Sequence, residues 1–255
     1  MLQRSLQIVK EDGVTGLGNR AAAFAYRRLR RLLPTSGHVR YAGIPIVYER
    51  RWGDRIVPSR WIPGGRHDLP DYESALVAAL REQVRSGDRI VVVGGGVGVT
   101  AAIAALQTGS SGEVICFEGA SEGVEKVRQT ADLNGVSDRM TVHHAVVGRS
   151  VLVYGTEPDH EVLTPAELPD CDVLELDCEG AEVDILQEMA IRPRAVLVET
   201  HGLYGATTPL VASLMEGLGY AVSDLGVAEP RVEAFCQEHD IRVLVGVQEW
   251  ERSSP

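Results

Sequence analysis

From Pro70 onward, apolar runs of strand length alternate with amphipathic runs of helix length, and this alternation constrains the fold more than any other feature. "PDYESALVAALREQV" carries acids in its first turn and apolar residues at Leu76, Val77, Leu80 and Val84, which predicts a helix. "RIVVV" predicts the first strand, followed by a glycine turn and a helix to about Gln107. "EVICFEG" predicts strand two, 121–133 a helix, "MTVHHAVVG" strand three, "CDVLELD" strand four, 181–190 a helix, "AVLVET" strand five and 208–218 a helix. "GYAVSDL" and "IRVLVGV" add two strands around a helix near 230–239. The expected fold is Rossmann-like α/β, a mostly parallel sheet of seven strands with helices on both faces, whose strand order the sequence leaves open.

Residues 1–70 do not follow this pattern and read as an accessory helix and β segment ahead of an α/β domain at 71–255. Over 17–33 the spacing predicts a helix with Ala22, Ala25, Tyr26, Leu29, Leu32 and Leu33 on one face and Arg27, Arg28 and Arg31 on another, stopped by Pro34 and Gly37. Its basic face over 20–33 is suited to a membrane surface, although packing on its own domain is the commoner use of such a helix. Residues 38–58 alternate in strand fashion around turn-like "GIP" and "WGD".

A chain of 255 residues buries a full core without disulfide staples, and its four cysteines are scattered with no C-x-x-C pair, as expected of free thiols in a reducing cytoplasm. No apolar run is long enough to span a bilayer, and the first residues lack the apolar stretch of a signal peptide. The net charge of −11 argues against a general nucleic-acid binder and does not oppose a cationic small molecule.

Open α/β sheets bind ligands beyond the carboxyl ends of their strands, so the polar residues there are the candidate site. After the first strand comes "GGGVGV". A dinucleotide fingerprint would place its third glycine where Val99 stands, whereas Gly94, Gly96 and Gly98 in alternation resemble the first motif of S-adenosylmethionine-dependent methyltransferases. The acid usual two residues before the first of these glycines is here Val92. Glu118, at the end of strand two and 24 residues after Gly94, is placed to accept from both hydroxyls of a ribose.

Strand four runs into "DVLELDCEGAEVDIL", which sets Asp177, Glu179 and Glu182 at a strand end and a helix start. This segment resembles the strand-four signature of FkbM-type methyltransferases, and the resemblance extends from Asp71 to Val247 through the glycine turn, Glu118, "HHAVVG" and "VLVETHG". It implies a class I S-adenosylmethionine-dependent fold and O-methylation of a hydroxyl on a sugar, glycan or other small metabolite. By position, Gly94, Gly95, Gly96 and Gly98 would wrap the methionine portion of the cofactor and Glu118 and Gly119 the ribose. Ala145 and Val146 would lie near the adenine, and Asp177 or Glu73 would make good the acid missing at Val92.

A hydroxyl nucleophile must lose its proton as it attacks, and Asp177, Glu179 and His201 are the candidate bases. Glu182 reads as a helix N-terminal carboxylate favoured by the macrodipole. His143 and His144 fall within strand three, one of them expected to face the core. No metal is assigned, though Asp177, Glu199 and His201 form a set suited to converge on a hard divalent cation. Thr164 and Glu167 have capping-box spacing, so a short helix should close the otherwise solvated loop over 155–170. Two other functions stay open: an NAD-dependent oxidoreductase and a non-catalytic nucleoside-binding protein of the same fold.

Overall fold

The computed structural model describes residues 18–58, 67–149 and 161–248, which divide into a unit made of 18–40, 47–58 and 67–68 and another made of 41–46, 69–149 and 161–248. The extreme N-terminus and much of the 155–170 loop lie outside the described residues.

In the smaller unit, helix α1 (18–29) tightens into a 3-10 turn at Arg30–Leu32. The hairpin of β1 (Thr35–Tyr41) and β2 (Ile44–Arg51), whose tip over 41–46 is counted with the larger unit, turns at Ala42 and Gly43, both at positive φ, as a two-residue hairpin turn requires. The apolar face expected on α1 is buried only in part: Tyr26 turns inward, but Leu29 and Leu32 are 58% and 81% exposed, while Ala23, outside that face, is buried. A buried carboxylate decides the rotation. Asp54 is 2% exposed and is satisfied by Arg30 Nε at 2.7 Å and the Tyr26 hydroxyl at 2.5 Å, so α1 must turn those two residues inward.

The larger unit is built on one sheet. After α2 (Ser74–Gln83) come β3 (Arg89–Val93), α3 (Val99–Thr108), β4 (Glu113–Glu118), α4 (Ser121–Leu133) and β5 (Met140–Val147). Then follow β6 (Glu161–Leu163), β7 (Val173–Leu176), α5 (Glu182–Glu188), β8 (Ala195–Glu199), α6 (Thr208–Gly217), β9 (Tyr220–Val227), α7 (Glu233–His239) and β10 (Arg242–Gln248). The spatial order is β6-β5-β4-β3-β7-β8-β10-β9, parallel except for β10, which runs antiparallel to both its neighbours. There are thus eight strands rather than seven. The added one, β6, is a three-residue edge strand beside β5, too short to carry a periodic signal. The predicted capping box follows it, with Glu167 accepting from the backbone and hydroxyl of Thr164 at 2.7 and 2.8 Å.

Alternate residues of the parallel strands point to opposite faces, and both faces are apolar. Val91, Val93, Leu174, Leu176, Val196 and Val198 pack with Ile185, Leu186, Val211 and Met215 of α5 and α6. The other face carries Ile90, Val92, Cys116 and Leu197, together with one side chain out of keeping with its place, the fully buried Glu175 opposite Val92. The helices after β3 and β7 lie on opposite faces, so a crevice opens between the carboxyl ends of these adjacent strands. No helix among the described residues is long and apolar enough to cross a membrane, and the four cysteines are free.

Candidate functional site

Beyond these strand ends lies a cavity of about 340 Å³. Val93, Gly94 and Gly96 enter it from β3, Phe117–Ala120 from β4, Ala145–Val147 from β5 and Asp177–Glu179 with Ala181 from β7. The size is that of a small-molecule site.

The glycines of the turn do different things. A Cβ on Gly94 would fall on the backbone carbonyl of Asp177, so this residue lets β3 and β7 close on each other at the site. Gly95 faces Cys116 and Val127, and Gly98, at φ 83°, faces Val127 and Thr130 of α4; neither lines the cavity. Gly98 therefore supplies the close helix packing that a third fingerprint glycine would otherwise give at position 99. Gly96 has open space where a Cβ would stand.

Glu118, at the end of β4, lines the cavity. One carboxylate oxygen accepts from Gly96 N and the other from Ala120 N, each at 2.8 Å. Gly123, in the first turn of α4, leaves room for the carboxylate, which any Cβ there would strike. A glycine in the first turn of "SEGVEKV" was the sequence signal for this cradle, and it was missed. Gly119, Ala145 and Val146 line the cavity too, the last two inside β5 rather than after it. His143 is exposed and stacks on Phe117, and His144 meets the Gly119 carbonyl at 3.2 Å, so neither histidine faces the core.

At the β7 end the chain places charge at high density. Asp177 donates its backbone N–H to Val93 O and turns its carboxyl to His201 Nε2, 3.5 Å away; Glu199 and Glu179 lie 3.8 and 4.0 Å from the same nitrogen. The other ring nitrogen of His201 meets Glu182 Oε1 at 2.8 Å. Glu182 is fully buried and also accepts from Cys178 N and Gly180 N. It is therefore a partner of His201 and not the solvated helix-end charge that its position suggests. Glu179, at φ 53°, and Glu73, at φ 42°, hold the left-handed backbone that residues with a Cβ avoid, and both stand beside Asp177.

These groups shift one another. Burial and the neighbouring acids push Asp177 up to about 6 although His201 pulls the other way. Burial and Asp177 push Glu73 up to about 8, and burial also raises Glu175 and Glu199 well above the ordinary range. Burial alone would lower His201, but its bond to Glu182 and the charges of Asp177, Glu182 and Glu179 push it up to about 9. Burial would raise Glu182, yet the hydrogen bond and charge of His201 hold it below the usual carboxylate value. A histidine protonated at neutral pH is a poor proton acceptor, whereas a carboxyl near 6 is well matched to that task. Glu73 does not line the cavity, so of the two acids considered in place of Val92 only Asp177 reaches it.

No family model matches the chain, and no curated protein matches it in sequence. Solved structures of similar outline include a SAM-dependent O-methyltransferase from Thermotoga maritima at 18% identity and TM-score 0.45, covering 69% of this chain and 64% of that one. The O-methyltransferase TomG from Streptomyces achromogenes, in complex with SAM, is similar at 16% identity and TM-score 0.45 over 71% and 81%. A ribosomal protein L11 methylase from Lactobacillus delbrueckii subsp. bulgaricus is similar at 11% identity and TM-score 0.48 over 70% and 79%. The chain thus spans about two thirds of the length of the Thermotoga protein.

Proposed function

We propose that the chain is an S-adenosylmethionine-dependent methyltransferase of the FkbM type, acting on a hydroxyl of a sugar or other small metabolite. The observation that carries this reading is the charge of the cavity. Glu118, Glu122, Asp177 and Glu179 line it, and the one basic lining residue among the described residues, Lys126, is paired with Glu122 at 2.8 Å. Such a lining suits a cofactor that bears an ammonium and a sulfonium and repels the pyrophosphate of a dinucleotide.

The residues fit this cofactor from floor to mouth. Glu118 keeps acceptor capacity for a ribose beyond its two backbone bonds, because a carboxylate has about four lone-pair sites. Val97, Ala145, Val146 and Val147 provide apolar walls for a flat base. S-adenosylmethionine, when bound, supplies a methyl on a good leaving group, displaced in line by an oxygen held about 3 Å away. Asp177 and Glu179 border the space that oxygen would occupy and take its proton, Asp177 first by virtue of its matched acidity. His201, charged and fixed by Glu182, keeps the carboxyl of Asp177 oriented.

Calorimetric titration with S-adenosylhomocysteine and with NAD tests this reading. The first should bind more tightly, and Glu118→Ala should weaken it by about 1.5–3 kcal/mol, the range for hydrogen bonds to a charged group. Equal or reversed affinities would exclude the methyltransferase.

A further inference from the structure

Three groups converge behind the cavity wall. His201 Nε2 lies 3.5 Å from Asp177 Oδ1 and 3.8 Å from Glu199 Oε1, and one donor atom from each of the three residues lies within 4.8 Å of the others. We propose that Asp177, Glu199 and His201 bind a divalent first-row cation, of which Mn²⁺ and Zn²⁺ are the candidates, beside the cofactor cavity.

The acids alone would not justify this, because carboxylates gather at the strand ends of many α/β proteins. Two further observations point to a ligand. Glu199 is 9% exposed, and its Oε2 has no hydrogen-bond partner among the described residues, an arrangement costly for a buried polar group. His201 is 5% exposed and makes its one side-chain hydrogen bond through Nδ1, to Glu182, leaving Nε2 aimed into the cluster, where a bound cation would displace the proton this nitrogen carries in the metal-free chain. Imidazole ligands of metals are commonly held in this way, one nitrogen on the metal and the other on an outer carboxylate that fixes ring and tautomer. Glu182 is rigid enough for that purpose, since Cys178 N and Gly180 N hold its two oxygens at 3.0 and 2.8 Å.

The spacing agrees. Two donors each about 2.1 Å from a tetrahedral metal stand roughly 3.4 Å apart, and the two carboxylates here lie 3.5 and 3.8 Å from His201 Nε2. One imidazole and two carboxylates favour manganese or zinc over calcium and magnesium, which prefer all-oxygen sites. Three protein ligands would leave coordination positions for a substrate oxygen, and Asp177 also borders the cavity. In the metal-free chain Asp177 is the proton acceptor; with the cation bound Asp177 would be a ligand, the cation would lower the pKa of the acceptor oxygen, and Glu179 would take its proton. That role rests on the methyltransferase reading; the binding itself does not.

The test is direct titration of the chelator-treated full chain with Mn²⁺, followed by electron paramagnetic resonance, and with Zn²⁺ by calorimetry. Saturation at one ion per chain by either metal is expected, with Ca²⁺ and Mg²⁺ at least tenfold weaker. Glu199→Gln should fold, because it removes a crowded charge that has no partner on Oε2, and should weaken the metal at least tenfold while leaving S-adenosylhomocysteine affinity within about twofold. Absence of saturable Mn²⁺ and Zn²⁺ binding, equally tight Ca²⁺, or an affinity unchanged in folded Glu199→Gln would overturn the site. None of these outcomes depends on whether the cavity binds the proposed cofactor.

Discussion

Glu182 Oε1 lies 2.8 Å from Nδ1 of His201, and both side chains are almost wholly removed from solvent. The pair joins the first residue of α5 to the loop after β8. A helix-end carboxylate in water contributes about 0.3–1 kcal/mol, whereas removing one member of a buried pair costs about 3–5 kcal/mol. Glu182→Ala is therefore expected to lower the unfolding free energy, read from urea titration, by an amount in the larger range, and Glu182→Gln by less, because an amide still fills the space. A loss below about 1 kcal/mol for the alanine variant would return Glu182 to the role of a surface charge.

The same cluster sets a pH dependence of stability. Asp177, pushed up to about 6, and Glu73, pushed up to about 8, bind more protons folded than unfolded between the ordinary carboxylate pKa and those values. Stability must then fall as pH rises through that interval. His201 has the same sign: its contribution is complete below about 6.5 and is lost as pH rises to about 9. The lowered acids, Glu182 and Asp54, act oppositely and only in more acidic solution. In the presence of chelator the melting temperature should peak near about pH 5 and decline steadily to pH 9. A flat or rising profile across that range would show that the acids are not crowded as described.

Gly94 and Gly96, two residues apart in the turn, differ in role and make a sharper test of the site. Gly94 has no room for a Cβ because the Asp177 carbonyl occupies it, so Gly94→Ala must push β3 from β7 and is expected to unfold the sheet or yield insoluble protein. Gly96 has open space there, and its φ of 53° costs an alanine about 1–2 kcal/mol. Gly96→Ala should fold and lose at least tenfold in S-adenosylhomocysteine affinity, read by calorimetry beside a thermal melt. Wild-type affinity in that variant would move the ligand off the turn.

The parallel core was legible because both its faces are apolar, and runs such as "RIVVV" and "AVLVE" have no other economical use. Strand order was not, since the residues that fix it, such as Gly94 against Asp177, declare themselves only once the strands are adjacent. The candidate cluster follows the strand ends: Glu118, Asp177 and Glu179 line the cavity, and His201 stands behind it against Asp177. Burial reverses the meaning of a residue type elsewhere. Glu182 in a first helical turn reads as a solvated charge until the cover of the sheet is known, and no pattern in "DVLELD" marks Glu175 as fully buried. On α1 the apolar stripe misled for a similar reason, because satisfying Asp54 outweighs covering Leu29 and Leu32.

The last prediction separates chemistry from architecture at Asp177. Its backbone holds β7 to β3 through the bond to Val93 O, and its side chain sits among acids that raise its proton affinity. Asp177→Asn keeps the backbone bond and the shape while removing one of the crowded charges, so the melting temperature should hold or rise. Turnover should fall by about 10²- to 10⁴-fold, the usual loss on removing a general base. The wild-type rate should rise with pH through about 6, where this carboxyl ionises, and the residual rate of the variant should lack that limb. The assay is release of S-adenosylhomocysteine across a panel of hydroxylated acceptors, with chelator present so that Asp177 acts as a base and not as a metal ligand, run first on the wild type to find one that supports turnover. Glu179→Gln serves as the comparison, since Glu179 borders the same space but is held by its left-handed backbone and lies farther from His201. A loss below roughly tenfold for Asp177→Asn, with a larger loss for Glu179→Gln, would transfer the primary role in catalysis to Glu179.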